Sequence, residues 1–89
     1  MPPTHDLPGL GPKSLAMLAA AGIHGRTDLE QLGAVRAYLR VKAASQNASL
    51  NLLWAIEGAL TGQDWRVVAR EERGRLLLEL DAAQEATRR

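Results

Sequence analysis

Cysteine is absent from this chain, so neither a disulfide nor a thiolate metal site is available to hold it together, and a reducing compartment suits it. Phenylalanine is absent too, and the aromatic residues are Tyr38, Trp54 and Trp65 alone. The β-branched and aromatic runs that build strands are missing with them, which argues against a sandwich or barrel. The opening MPPTHD has neither the basic nor the apolar segment of a signal sequence, and the longest apolar stretch, residues 50–60, falls well short of the ~20 residues of a membrane span. A cytoplasmic location without membrane contact is the expectation. Excess charge is lacking as well: the net charge is +1, so bulk electrostatics does not announce a nucleic-acid partner.

What is present is leucine, alanine and glycine, within an apolar content of 46% over 89 residues. That length makes one domain, able to bury only ~60–65% of the surface of its unfolded chain. A core of small and aliphatic side chains suits helices lying close together, so the expected class is all-α, a compact five-helix bundle. The domain is expected over residues 7–83, between tails at 1–6 and 84–89.

The helices are read from caps and apolar spacing. The first is expected over 12–21, with Pro12 at the opening position and Gly22 followed by Ile23 as a left-handed end. A short second helix is expected over 28–32, with Thr27 as N-cap and Glu30 completing a capping box. A third is expected to follow Gly33 and run to about 44. A fourth starts near Asn47 or Ser49 and ends at Gly62; it is apolar nearly all round, as a central buried helix would be. The last starts after Asp64 and runs to about 83, with Trp65, Val68, Ala69, Leu76, Leu80 and Ala83 on one stripe and Val67 and Leu78 on a second face. Gly58 and Gly74 each weaken a helix by about 1 kcal/mol against Ala, which a close backbone crossing would explain.

Two glycines and two prolines crowd into LPGLGPKS, residues 7–14, directly before the first helix. The pattern of apolar, variable, Gly, apolar, Gly and then a basic first turn is the layout of a helix-hairpin-helix turn. Gly9 and Gly11 can take positive φ and place no Cβ before the peptide N–H groups, while Leu10 points inward. The bare amides and the positive end of the helix then form a seat for an anion. Lys13 adds a charge and Ser14 a hydroxyl, so the four residues suit a duplex DNA phosphate held without reading a base. The same sequence also makes sense as a plain corner that directs the chain into a helix. Leu10-Gly11-Pro12 and Leu32-Gly33-Ala34 form a faint repeat 22 residues apart. One such turn neutralises only one or two phosphates, so other cations must add to it. Arg36 and Arg40, one helical turn apart, are the first choice, with Arg26 and Lys42 behind them. A solvated helix face explains the pair equally well.

Enzymatic chemistry finds little footing. A lysine just after such a turn also resembles the helix-hairpin-helix DNA glycosylases, where it attacks the sugar with a later aspartate assisting. Asp28 comes too early for that aspartate, and the chain is too short for a cleft that receives an extruded base. His5 and His24 stand without partners at metal-ligand spacing. No nucleotide-binding loop or nucleophile elbow occurs. Glu71 and Glu72 among arginines fit a charged helix face, Glu57 is expected to reach solvent or an arginine, and Asn51 is either exposed or a polar link to the glycine turn. No catalysis, metal, cofactor or small-molecule substrate is expected.

Three stretches, LPGLGPKSLAMLAAAGI, TDLEQLGAVRAYLRVKA and SLNLLWAIEGALTGQDW, together resemble the carboxy-terminal domain of the TfoX/Sxy family, bacterial regulators of DNA uptake. The likeness covers roughly residues 7–80, and the third stretch is its most specific part. It implies a compact helical bundle of helix-hairpin-helix character with a role near competence and transcription, through DNA or a regulator partner. Full-length members also carry an amino-terminal α/β domain; here the glycine motif begins six residues after Met1, so a stand-alone domain is expected. The alternative to DNA contact is a protein-interaction domain whose Val67 and Leu78 face docks a partner or a second copy.

Overall fold

The computed structural model describes residues 10–44 and 48–88, all helical or turn with no strand among them. Helix α1 is Pro12–Ala20, α2 is Arg26–Ala44 and α3 is Leu50–Thr61. Helix α4 runs over 65–88 as one rod: it begins as Trp65–Val67, passes a π-turn at Val68–Glu72 and continues as Arg73–Arg88, with right-handed helical backbone at each junction. The five helices expected are therefore four. The two segments expected at 28–32 and after Gly33 form α2, kinked at Gly33, where φ is 80° and ψ 164°. That conformation is open to glycine and strained for any other residue.

Ends follow local chemistry. After α1, Gly22 at φ 85° lets the Ile23 N–H return to the Leu18 carbonyl at 2.9 Å and the Gly22 N–H to Ala19 at 3.0 Å, and buried Ile23 covers buried Leu18. This double bond pattern with its apolar contact is the Schellman end. The start of α2 differs from expectation. The Leu29 N–H donates to the Gly25 carbonyl, so the helix begins at Arg26, before Thr27. The reaching-back carboxylate is that of Asp28, which accepts the His24 N–H at 3.0 Å. Glu30 pairs with Arg26 instead, at 2.9 Å.

α3 carries the core. Leu52, Leu53, Trp54, Ile56, Gly58 and Ala59 are all buried along its length. It packs on α2 on one side and on the first part of α4 on the other, while the later part of α4 returns to α2 and α1 lies against α2. Tyr38 and Val41 from α2, Leu18 and Ile23 from the α1 end, and Val68 and Leu76 from α4 close around it. The Cα radius of gyration, 12.1 Å, is that of a compact domain of this length.

The π-turn explains which face of α4 is inside. At about 100° per residue, the eight steps from Val68 to Leu76 would leave the two side chains roughly 80° apart. One extra residue in the turn shifts this offset by about 100° the other way, which brings them to within roughly 20° of each other. Val68, Leu76 and Leu80 are accordingly buried, while Trp65, expected on the same stripe, is 40% exposed.

The two helix glycines separate. A Cβ on Gly58 would lie 2.5 Å from the Gln63 carbonyl oxygen, because the turn after α3 folds back over it. A Cβ on Gly74 would meet nothing within 4 Å, so the close crossing holds at Gly58 and not at Gly74. Gly58→Ala should cost about 1–3 kcal/mol, the usual range for an overpacked site. Gly74→Ala should stabilise by up to about 1 kcal/mol through helix propensity. Urea denaturation of the two variants checks both, and equal effects would contradict this packing.

Candidate nucleic-acid interface

The start of α1 is anchored by Leu10, 8% exposed, which points inward as its sequence position suggests. Gly11 is the N-cap with φ −78° and ψ 171°, ordinary extended backbone rather than the positive φ expected of it. No side chain caps α1 and its first turn holds no acid. Gly11 and Lys13 are exposed and Ser14 is half-buried. Gly9 lies outside the described residues, as does most of the expected hairpin turn.

Lys13 and Ser14 line a cleft of about 340 Å³ where α1 meets α3 and the beginning of α4. Its apolar part is Met17, Leu52 and Ala55; its polar part adds Ser49 and Asn51, and Trp65 completes the wall. Asn51 is exposed, so it forms no buried link to the glycine turn. Arg66 lies over the Trp65 ring, 5.5 Å from its centroid, and its backbone N–H is capped by the Asp64 carboxylate at 2.8 Å. No carboxylate lines the cleft.

Arg36 and Arg40 are exposed on α2 and line a different cleft of about 430 Å³, shared with Leu32, Leu39 and the end of α4 at Ala83 and Ala86. Among the described residues, Lys13, Arg36 and Arg40 make no ion pair. The structure thus sets the sequence-selected cations in two places, Lys13 and Ser14 in one and the arginine pair in the other.

The TfoX C-terminal domain matches residues 4–80, nearly the whole chain, in agreement with the three stretches quoted above. The chain belongs to the TfoX C-terminal domain family. Neither a curated protein nor a solved structure matches it.

Several charged groups of this TfoX C-terminal domain are structural. Arg26, a reserve phosphate ligand on sequence grounds, reaches across to α3, where its guanidinium donates to the Ala59 and Leu60 carbonyls at 3.2 and 3.1 Å. A cation at a helix carboxyl end also meets the negative end of the dipole. Lys42 lies over the buried Tyr38 ring at 5.8 Å. Arg75 gathers Glu57 at 2.8 Å, Glu72 at 2.9 Å and Glu79 at 3.2 Å, and these three carboxylates hold its guanidinium pKa above the ordinary value. Glu57, whose side chain is 13% exposed, therefore finds an arginine rather than solvent. His24 is exposed, His5 lies outside the described residues, and no group of three potential metal ligands occurs among the described residues. Nor is any described helix long and apolar enough to cross a membrane.

Sequence reasoning missed the contribution of Trp65 and Arg66, because periodicity put Trp65 in the core. A signal was present: the indole opens a helix directly after its N-cap, where only one side has a neighbouring helical turn. Arg26→Ala should lower stability by about 1–3 kcal/mol by stripping two carbonyls of their donors. Arg26→Lys should recover only part, since an ammonium lacks the planar fork that spans two acceptors. Full recovery by lysine in urea melts would contradict the fork geometry.

Proposed function

We propose that this domain is a non-catalytic, cytoplasmic DNA-contacting module in a competence- or regulation-related setting. It holds duplex backbone phosphates through Gly9, Gly11, Lys13 and Ser14, with Arg36 and Arg40 as a second point of contact. The observation that carries the reading is Lys13: exposed on a first turn with no acid, unpaired among the described residues, and flanked by a hydroxyl. Gly11 adds support. Neither its φ nor its surroundings require glycine, since a Cβ there would meet nothing within 4 Å. What the missing side chain leaves is an uncovered helix start, which favours an approaching phosphate oxygen. Phosphate contacts of this kind position a protein without reading sequence, so the affinity is weak, salt-dependent and general.

A second reading rests on Leu78, 74% exposed on α4. It would serve a protein partner or a second copy. Val67 contributes less than expected, because it is half-buried and the intervening π-turn rotates it about 100° away from Leu78.

Lys13→Glu should weaken binding of an arbitrary duplex at low salt and lower the salt slope by about one unit, equally across sequences. Absence of duplex binding by the unaltered domain at low salt removes the reading. For the second reading, sedimentation should show a dimer that Leu78→Asp dissociates; a monomer in both cases removes self-association.

A further inference from the structure

We infer that the cleft of Lys13 and Trp65 receives an unpaired nucleobase together with its neighbouring phosphate, so that the domain binds single-stranded DNA more tightly than duplex. The inference rests on the DNA-binding reading above and specifies the form of DNA.

Trp65 is the starting observation. The other two aromatic side chains are buried, Tyr38 at 1% and Trp54 at 5% exposure, yet Trp65 is 40% exposed. Its ring is not left loose: the Arg66 guanidinium lies over it, and Arg66 is fixed at the backbone by Asp64. The indole lines the same cleft as Lys13 and Ser14. An aromatic face beside a cation is the pairing that single-strand binders use, with stacking for the base and charge for the phosphate.

The remaining walls fit the same ligand. Met17, Leu52 and Ala55 provide an apolar bed for a ring, while the Asn51 amide and Ser49 hydroxyl offer a donor and acceptors to a base edge. The volume, about 340 Å³, lies at the small end of ligand pockets, enough for one base and its sugar. A paired base keeps its faces inside the stack and cannot lie on the indole. A strand with free bases can. With no carboxylate in the lining, nothing there repels the phosphate.

Tryptophan fluorescence tests this. A short oligo(dT) should quench the emission and bind more tightly than a blunt duplex of equal length. In Trp65→Phe the quench should vanish, with buried Trp54 left as an unresponsive reporter, while most of the binding remains. Trp65→Ala should weaken oligo(dT) binding roughly 5- to 100-fold, the range of one lost stacked base, and leave duplex binding unchanged. Thermal melts of both variants establish that they are folded. Duplex bound as well as oligo(dT), or Trp65→Ala weakening both alike, overturns the inference and leaves the DNA-binding reading standing. Binding of neither form removes both. Thymidine monophosphate bound as tightly as oligo(dT) overturns the inference in favour of a free nucleotide, and polyglutamate bound as tightly overturns it in favour of charge alone.

Discussion

The carboxyl end of α3 is the point on which the fold depends. This helix is the most apolar and lies between α2 and α4, so its last carbonyls cannot simply turn to water. Each finds a donor. The Gly58 carbonyl accepts from Gly62 and Gln63, and those of Ala59 and Leu60 accept from Arg26. Leaving a buried polar group unmatched costs about 1–3 kcal/mol, a large share of the 5–15 kcal/mol that keeps a domain folded. The same bonds fix the neighbours. Gly62 in the left-handed region turns the chain back over Gly58 and so aims α4, while Arg26, the first residue of α2, ties that helix to the same end. One helix terminus therefore sets the placement of three elements.

How much of this was legible in the sequence follows from how local each cause is. The Gly22–Ile23 end, the Gly62 end, the inward Leu10 and the central place of α3 all rest on neighbouring residues, and the structure agrees with each. Gly33 was rightly read as an interruption: its non-helical backbone kinks α2 between two helical stretches. The Arg26 contacts span more than thirty residues, and nothing beside Arg26 signals them. The π-turn was invisible for another reason: a single inserted residue leaves the composition of a helix unchanged while rotating everything after it. That rotation buries Leu76 and Leu80, while Trp65, before the turn, stays at the surface. At the candidate site, Lys13 and Ser14 were legible from the glycine motif, whereas their meeting with Asn51 and Trp65 needed the packing of three helices.

The low net charge hides an uneven distribution. Glu57, Glu72 and Glu79 converge on Arg75, Glu30 holds Arg26, and Asp28 and Asp64 accept backbone N–H groups near helix starts. These six carboxylates are thereby tied to structural tasks, and no described carboxylate lines the clefts of Lys13 or of Arg36 and Arg40. A chain with a formal charge of +1 can in this way present locally positive surface. For a ligand that meets the surface within a Debye length of roughly 8–10 Å, this local balance counts for more than the total.

The construction of the first cleft bears on what it can hold. Its walls come from the beginnings of α1, α3 and α4, each fixed independently: by Leu10 in the core, by the buried row of α3, and by the Asp64 cap with the Gly58 turn before it. Walls fixed in this way have little freedom to lose when a ligand arrives, which lowers the cost of binding. In a domain with so little surface to bury, an indole held partly in water gives up apolar burial that a small core would use. On the proposed reading, a surface that is both rigid and unburied suits a flat partner, and the lysine that shares its cleft favours one that carries negative charge.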